Sequence, residues 1–295
     1  MRSIQGSVGG AAATDPQEIA IREPSVWYAA MTALEFKFRV TRAAGFVASS
    51  TSRFVARHSR SELEPDDFTV ITVNWNTADF LRELLRGVQR FSPNARILVV
   101  DNASTDDSRA VIRASGVESI MLPVNLGHGP ALDIAASRVR TEFFATLDVD
   151  AFPVRSDWLS VLRAELDRGN VVVGGHMHRG FAHPSMLAMR TRDFRQRRHS
   201  FIRSPFRTGE FINGRSWDVA ERISLREPGR VGLIDTTEVR GPGVIGSVYG
   251  GIVYHNWFSA QGPAEQRRAA REAWSEAVER FLDDRPNDEA TAPIS

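Results

Sequence analysis

Asp148 and Asp150 stand two residues apart, directly after the apolar run Phe143-Phe144-Ala145-Thr146-Leu147. Alternate residues of an extended chain point the same way, so both carboxylates can converge on one ion where a buried strand emerges. Hard oxygen ligands of this kind suit Mg²⁺ or Mn²⁺, ions that leave coordination positions free for substrate phosphates. An Asp-x-Asp is by itself a weak signal, because acidic pairs at strand ends also form turns. Its weight comes from what precedes it.

Val70-Ile71-Thr72-Val73 reads as a buried strand that ends at Asn74-Trp75-Asn76. Asn76 is placed to cap a helix, with Asp79 in its first turn. Phe80, Leu81, Leu84, Leu85, Val88 and Phe91 form the apolar stripe of that helix. Ile97-Leu98-Val99-Val100 is the next strand and ends on Asp101. A short helix from about Thr105 leads to the strand Ser119-Ile120-Met121, and then to the turn Asn125-Leu126-Gly127-His128-Gly129-Pro130. A further helix follows Pro130 and returns the chain to Phe143–Leu147. Alternating helices and continuously apolar strands predict an α/β fold with a mainly parallel sheet covered on both faces. Ligands of such sheets bind beyond the carboxyl ends of the strands, and Asn76, Asp101, Asn125 and Asp148 all fall at that edge.

The flanks are less regular. Residues 1–23 are small and polar and read as a disordered tail, and residues 24–66 as a helical extension and linker, with Ser61–Asp67 as the linking stretch. In the extension, Trp27, Met31, Leu34, Phe38 and Phe46 alternate with Lys37, Arg39, Arg42, Arg53 and Arg57. A basic amphipathic helix can lie on an anionic membrane surface. Glu35 and scattered small residues blur its two faces, which favours packing on the main domain or on a second subunit. After Pro153 a helix around Trp158–Leu162 leads to the strand Val171-Val172-Val173. Residues 174–258 give few clear periods and read as loops that recognise an acceptor. The last helix, from about Ala264 to Phe281, is followed by a tail from Asp283 that reads as disordered.

With 295 residues and a formal charge of +1, the chain is large enough for one α/β domain with appendages and is no evident nucleic-acid binder. It has no cysteine, which removes disulfides, thiolate zinc sites and cysteine nucleophiles and fits a cytoplasmic protein. No stretch reaches the ~18 uninterrupted apolar residues of a membrane span.

Taken in order, Val70-Ile71-Thr72-Val73-Asn74-Trp75-Asn76, Val99-Val100-Asp101-Asn102-Ala103-Ser104-Thr105-Asp106, Asn125-Leu126-Gly127 and Leu147-Asp148-Val149-Asp150 resemble the signature of family 2 glycosyltransferases. The resemblance covers about residues 68–165. It implies a GT-A-type, Rossmann-like fold and transfer of a sugar from a nucleotide-sugar donor, assisted by Mn²⁺ or Mg²⁺, with UDP the expected nucleotide and GDP or dTDP open. It further implies a domain over 67–260, with a donor half at 67–153 and an acceptor half at 154–260. Residues 261–295 would be a helix and tail. Thr72, Asn74 and Asn76 would line the nucleoside pocket, and Asp101 would accept a hydrogen bond from base or ribose. Asn125 and Gly127 would shape the turn beside the nucleotide. Asp150 would ligate the metal directly, with Asp148 nearer the ribose or reaching the ion through water, and His128 near a donor phosphate.

Downstream the resemblance thins. Trp217-Asp218-Val219-Ala220-Glu221-Arg222-Ile223 resembles a degraded form of the family's base-bearing segment, which puts Asp218 first, Glu221 second and Glu210 third as the general base of an inverting transfer. The usual Glu-Asp pair is absent, since Trp217 precedes Asp218. His255 ends an apolar run and is a candidate further metal ligand. His176, His178 and His183 are read as acceptor contacts or plain surface, and Arg203, Arg207 and Arg215 as contacts to an acidic acceptor or the donor diphosphate. The acceptor stays open among a glycan, a lipid-linked glycan and a small molecule. A nucleotidyltransferase or methyltransferase would carry a Gly-rich turn after the first strand, where Asn74-Trp75-Asn76-Thr77 stands instead. A catalytically silent domain of the same fold, acting as a scaffold, is the alternative from another class.

Overall fold

The structure is a computed structural model that describes residues 24–59, 62–176, 180–202, 211–212, 215–216, 218–239, 246–257 and 263–283. The chain divides into two compact units, Met1–Arg39 and Val40–Ser295. The helices are α1 (Pro24–His58), α2 (Ala78–Phe91), α3 (Ser108–Ser115), α4 (His128–Arg138), α5 (Trp158–Asp167), α6 (Thr191–Gln196), α7 (Glu221–Leu225) and α8 (Ala264–Val278), the last continuing into a π-helical turn, Glu279–Asp283. The strands are β1 (Glu64–Asn74), β2 (Arg96–Asp101), β3 (Glu118–Met121), β4 (Thr141–Leu147), β5 (Ala151–Pro153), β6 (Val172–His176) and β7 (Ala182–Arg190). They continue with β8 (Phe211–Ile212), β9 (Arg215–Ser216), β10 (Val231–Ile234), β11 (Thr236–Val239), β12 (Ser247–Tyr249) and β13 (Val253–His255).

A seven-stranded sheet runs β10-β6-β7-β4-β1-β2-β3. β1 pairs in parallel with β2 and β4, β2 with β3, and β6 with β10. β7 is antiparallel to both β4 and β6. The connection between β6 and β7 is too short for a crossover, so the chain has to return antiparallel. The fold is therefore the expected α/β, mainly parallel sheet flanked by helices. Alternation along the strands feeds two cores. Val70 and Val99 pack with Phe80, Leu84, Trp158 and Trp274 on one face, whereas Ile71 and Leu98 pack with Leu132, Ala135, Phe194 and Phe201 on the other. A four-stranded sheet, β11-β12-β13-β5, is grafted where β4 ends.

Several local expectations shift. β1 starts at Glu64, inside the stretch read as a linker, because the Glu64 N–H donates to Arg140 O and Glu64 pairs with Thr141 across a register irregularity. The helix cap falls on Thr77 rather than Asn76, which takes a left-handed backbone with φ 54°. α3 starts at Ser108, since Asp106 accepts the Ser108 and Ala78 N–H groups and so orders the loop that precedes the helix. α4 starts at His128, so Pro130 sits in its first turn, where its missing N–H costs nothing.

From Val40 onward, α1 packs on α4: Ser49 Oγ donates to Asp133 Oδ2 at 2.6 Å, Arg53 Nε lies 3.3 Å from the same oxygen, and Ala56 is buried. Val40, Val47 and Phe54 stay exposed on this stretch. No described helix is long and apolar enough to cross a membrane. Asp283, read as the start of a disordered tail, instead ends the π-helical turn and pairs with Arg86 at 2.8 Å, while residues 1–23 and 284–295, together with His178, Arg203, Arg207 and Glu210, lie outside the described residues.

Candidate active site

β4 delivers Asp148 and Asp150 to the carboxyl edge of the sheet, and β5 begins at the very next residue. β5 pairs antiparallel with β13, which sets His255 opposite Ala151. The Asn256 N–H then donates to Asp150 O at 2.8 Å and locks the junction. As a result Asp148, Asp150 and His255 each offer one ligand atom, and these atoms lie within 4.8 Å of one another. His255 Nε2 is 3.5 Å from Asp150 Oδ1 and 3.8 Å from Asp148 Oδ2. Asp150 and His255 are buried, while Asp148 keeps part of its side chain open. Among the described residues this is the one group of three or more such side chains placed to hold an ion.

Electrostatics favour an ionised Asp148. Burial raises the Asp148 pKa, but His128, with His183 and His255 behind it, outweighs burial and holds the carboxyl well below the usual carboxylate range. His128, expected at a phosphate, has its Nε2 3.3 Å from Asp148 Oδ1. That oxygen is buried. A buried carboxylate oxygen approached by the His128 imidazole, beside a second carboxylate and the His255 ring, fits a hard divalent cation with room for other ligands.

The neighbouring strand ends are laced together. Asn74 Nδ2 donates to Ser104 Oγ at 3.1 Å and lies 3.4 Å from Asp101 Oδ1. Asp101 Oδ2 accepts from the Ser104 N–H and from Arg109 Nε. Asn76 donates its N–H to Ser104 Oγ, and its Oδ1 accepts the Thr105 N–H at 2.7 Å. Asn102 Nδ2 donates to Asn125 Oδ1, which also accepts the Gly127 N–H. Gly127 adopts φ 90°, a conformation that favours glycine. Asn74, Asn76, Asp101, Asn125 and Gly127 thus converge on one rim. Thr72 does not join them. It is fully buried inside β1, two residues short of the edge, and its hydroxyl has no partner, so its assignment to the pocket lining is corrected to a position within the sheet.

The two carboxylates proposed as base differ sharply in setting. Glu221 is buried at the start of α7, and its Oε2 accepts the Asp218 N–H at 2.9 Å. Asp218 is partly exposed, with Oδ1 accepting the Val219 N–H and Oδ2 3.7 Å from His183 Nε2. His183 ties Asp218 to the metal cluster: its Nδ1 contacts Ser185 Oγ at 2.8 Å, Ser185 Oγ contacts Tyr249 Oη at 3.1 Å, and Tyr249 Oη contacts His255 Nδ1 at 3.1 Å. Tyr249 fits because residue 175 is glycine: a Cβ there would stand 2.8 Å from the phenol ring. His176, grouped with His183 in the sequence reading, instead pairs with Asp235 at 2.7 Å. Sequence reasoning missed Ser185 and Tyr249, which carry no motif. Ser104 and Asn102 were within reach, since they follow Asp101 at once in the loop.

The family model described as glycosyl transferase family 2 matches residues 69–225, more than half of the chain. No curated protein matches it in sequence. Solved structures that are similar include the mannosyltransferase PcManGT from Pyrobaculum calidifontis in complex with GDP-Man and Mn²⁺, at 20% identity and a TM-score of 0.41, covering 55% of this chain and 57% of that one. TarS 1–349 from S. aureus in complex with UDP-GlcNAc is similar at 16% identity and a TM-score of 0.44, over 75% of this chain and 68% of that one. Glucosyl-3-phosphoglycerate synthase from Mycobacterium tuberculosis, in complex with Mn²⁺, UDP-Glc and phosphoglyceric acid, is similar at 17% identity and a TM-score of 0.36, over 47% of this chain and 59% of that one. The chain thus spans somewhat over half the length of the first of these structures. By its matched segment, its sheet and its strand-end carboxylates, the chain belongs to glycosyl transferase family 2 and has the GT-A fold.

Proposed function

We propose that the protein transfers a glycosyl group from a nucleoside-diphosphate sugar to a hydroxyl acceptor, with inversion. The convergence of the Asp148, Asp150 and His255 ligand atoms within 4.8 Å carries this reading. These three side chains would hold Mn²⁺ or Mg²⁺, and the imidazole in the set favours Mn²⁺. When bound, the ion would offset the charge that develops on the departing nucleoside diphosphate.

The protein's own groups would do the rest. The rim built from Asn74, Asn76, Asp101, Asn125 and Gly127 would hold the nucleoside, with its hydrogen bonds keeping the loops fixed before the donor arrives. Asp218 would take the acceptor hydroxyl proton as the hydroxyl oxygen attacks the anomeric carbon, and the bond from that carbon to the diphosphate would break. Its partial exposure supports this assignment over Glu221, whose carboxylate is buried against the Asp218 backbone. Acceptor contacts would come from the 154–260 half, where Asp218 Oδ2 lies 3.7 Å from His183 Nε2.

The test is thermal unfolding with UDP, GDP, dTDP, CDP and ADP, each with and without Mn²⁺. A ligand that binds the folded state alone at 100 times its Kd adds ~2.7 kcal/mol, a shift of several degrees at this size. A Mn²⁺-dependent shift with one nucleotide supports the reading and identifies the donor base. No shift with any nucleotide overturns it. A shift without hydrolysis of the matching donor would favour the silent scaffold.

A further inference from the structure

One set of proton positions accommodates every contact from His183 to His255, taking the backbone donor as its starting point. Ser185 donates its backbone N–H to His183 Nδ1 at 3.2 Å, so that nitrogen bears a lone pair and no proton. The 2.8 Å contact between Ser185 Oγ and the same nitrogen must then be the serine hydroxyl donating. A hydroxyl has a single proton, so Ser185 Oγ accepts from Tyr249 Oη at 3.1 Å. The tyrosine proton is thereby used as well, and the remaining contact, at 3.1 Å, is His255 Nδ1–H donating to Tyr249 Oη. His255 Nε2, the nitrogen beside Asp148 and Asp150, is left with its lone pair. At the other end, with Nδ1 accepting, His183 carries a proton on Nε2, which faces Asp218 Oδ2 at 3.7 Å.

Building on the proposed metal site, we infer that Tyr249, Ser185 and His183 are positioning residues: they form a directed hydrogen-bond chain that fixes His255 in the tautomer able to ligate the metal and aims the far proton at Asp218. The surroundings keep the chain in one direction. Ser185 and Tyr249 are fully buried, so no water competes for these groups. The pairing of Leu147 with Met186 between β4 and β7 sets Ser185 next to Asp148, whose N–H reaches Ser185 O. The same backbone therefore positions the chain and the carboxylates. Metal-bound histidines commonly have the other ring nitrogen held by such a partner, which sets ring orientation and basicity.

The test is histidine-selective ¹⁵N labelling of the full-length protein without metal, at a pH above the range in which histidine titrates. Long-range ¹H–¹⁵N spectra report which nitrogen of each ring carries the proton, and His255→Asn and His183→Asn spectra assign the two rings. The expected result is Nδ1–H for His255 and Nε2–H for His183. In parallel, the free Mn²⁺ signal in electron paramagnetic resonance should show Tyr249→Phe weakening Mn²⁺ affinity roughly 10- to 100-fold. A proton on His255 Nε2, or on His183 Nδ1, overturns the chain. Unchanged Mn²⁺ affinity in a folded Tyr249→Phe protein overturns its role at the metal. Wild-type protein with the expected tautomers but no Mn²⁺ binding would instead sink the metal site itself, and with it the purpose assigned to the chain.

Discussion

His255 Nε2 stands 3.5 Å from Asp150 Oδ1 although more than a hundred residues separate the two in sequence. The cause is a three-residue pairing: β13 runs antiparallel to β5, and His255 falls opposite Ala151, the residue after Asp150. The carboxylates come from the end of a strand of the large sheet and the imidazole from the small sheet. The site therefore exists only where the two sheets share the β4–β5 corner.

Asp150 should matter to chemistry far more than to folding. Asp150→Ala is expected to abolish any Mn²⁺-dependent nucleotide shift in thermal unfolding and to lower turnover on the order of 10²-fold or more. Its unfolding temperature without ligand should stay within a few degrees of wild type. Retained turnover in Asp150→Ala would remove the carboxylate from the mechanism.

Asp218 and Glu221 should separate cleanly. Asp218→Asn removes the proton acceptor while keeping the shape, so kcat should fall about 10²- to 10⁴-fold with donor binding intact. Glu221→Ala strips the buried carboxylate that accepts the Asp218 N–H, and should cost about 1–3 kcal/mol of stability. Steady-state kinetics and thermal melts of both variants decide between the two roles. A large kcat loss in Glu221→Gln with Asp218→Asn unaffected would exchange the assignments.

The donor half was legible because its signals are local. Apolar runs such as Val70–Val73 and Ile97–Val100 name their own strands, and polar residues at the run ends name the edge. Asp148, Asp150, Asp101 and Asn125 were placed that way, whereas His255 was reached through the family resemblance. The antiparallel course of β7 was not legible, because a buried strand reads alike in either direction. Asn76 read as a cap because asparagine suits caps and left-handed turns equally, and the backbone chose the turn. Thr72 could not be told from a rim residue, since depth along a strand leaves no mark in a period of two. Tyr249 and Ser185 lie on strands of different sheets, each set by its own pairing (β12 with β13, β7 with β4), which no local pattern encodes.

Asp133 anchors the second half of α1 and should be structural. It is fully buried and accepts from Ser49 Oγ, Ser200 Oγ and the Phe201 N–H, with Arg53 Nε at 3.3 Å. Asp133→Ala leaves those donors and the arginine without their shared acceptor, a loss of about 3 kcal/mol or more. Chemical denaturation should show that loss. Donor affinity measured well below the new midpoint should be unchanged, because Asp133 lies outside the rim and the metal cluster.

His199 sets an acid limit on stability. Burial pushes its pKa down to about 4; Glu227 opposes this, while Arg226 and Arg197 add to the fall. The ring lies fully buried, with Nε2 3.1 Å from Glu227 Oε1. An unfolded chain protonates this histidine near its ordinary value of about 6.5, whereas the folded chain resists until about pH 4. Between those values the unfolded state binds more protons, so stability rises with pH across the window and is lost as pH falls through it. The unfolding temperature should therefore drop by several degrees on going from neutral pH to about pH 4. His199→Gln has no proton to gain, so its melting curve should be flatter across the same window. An equally steep curve in His199→Gln would assign the acid loss to other groups.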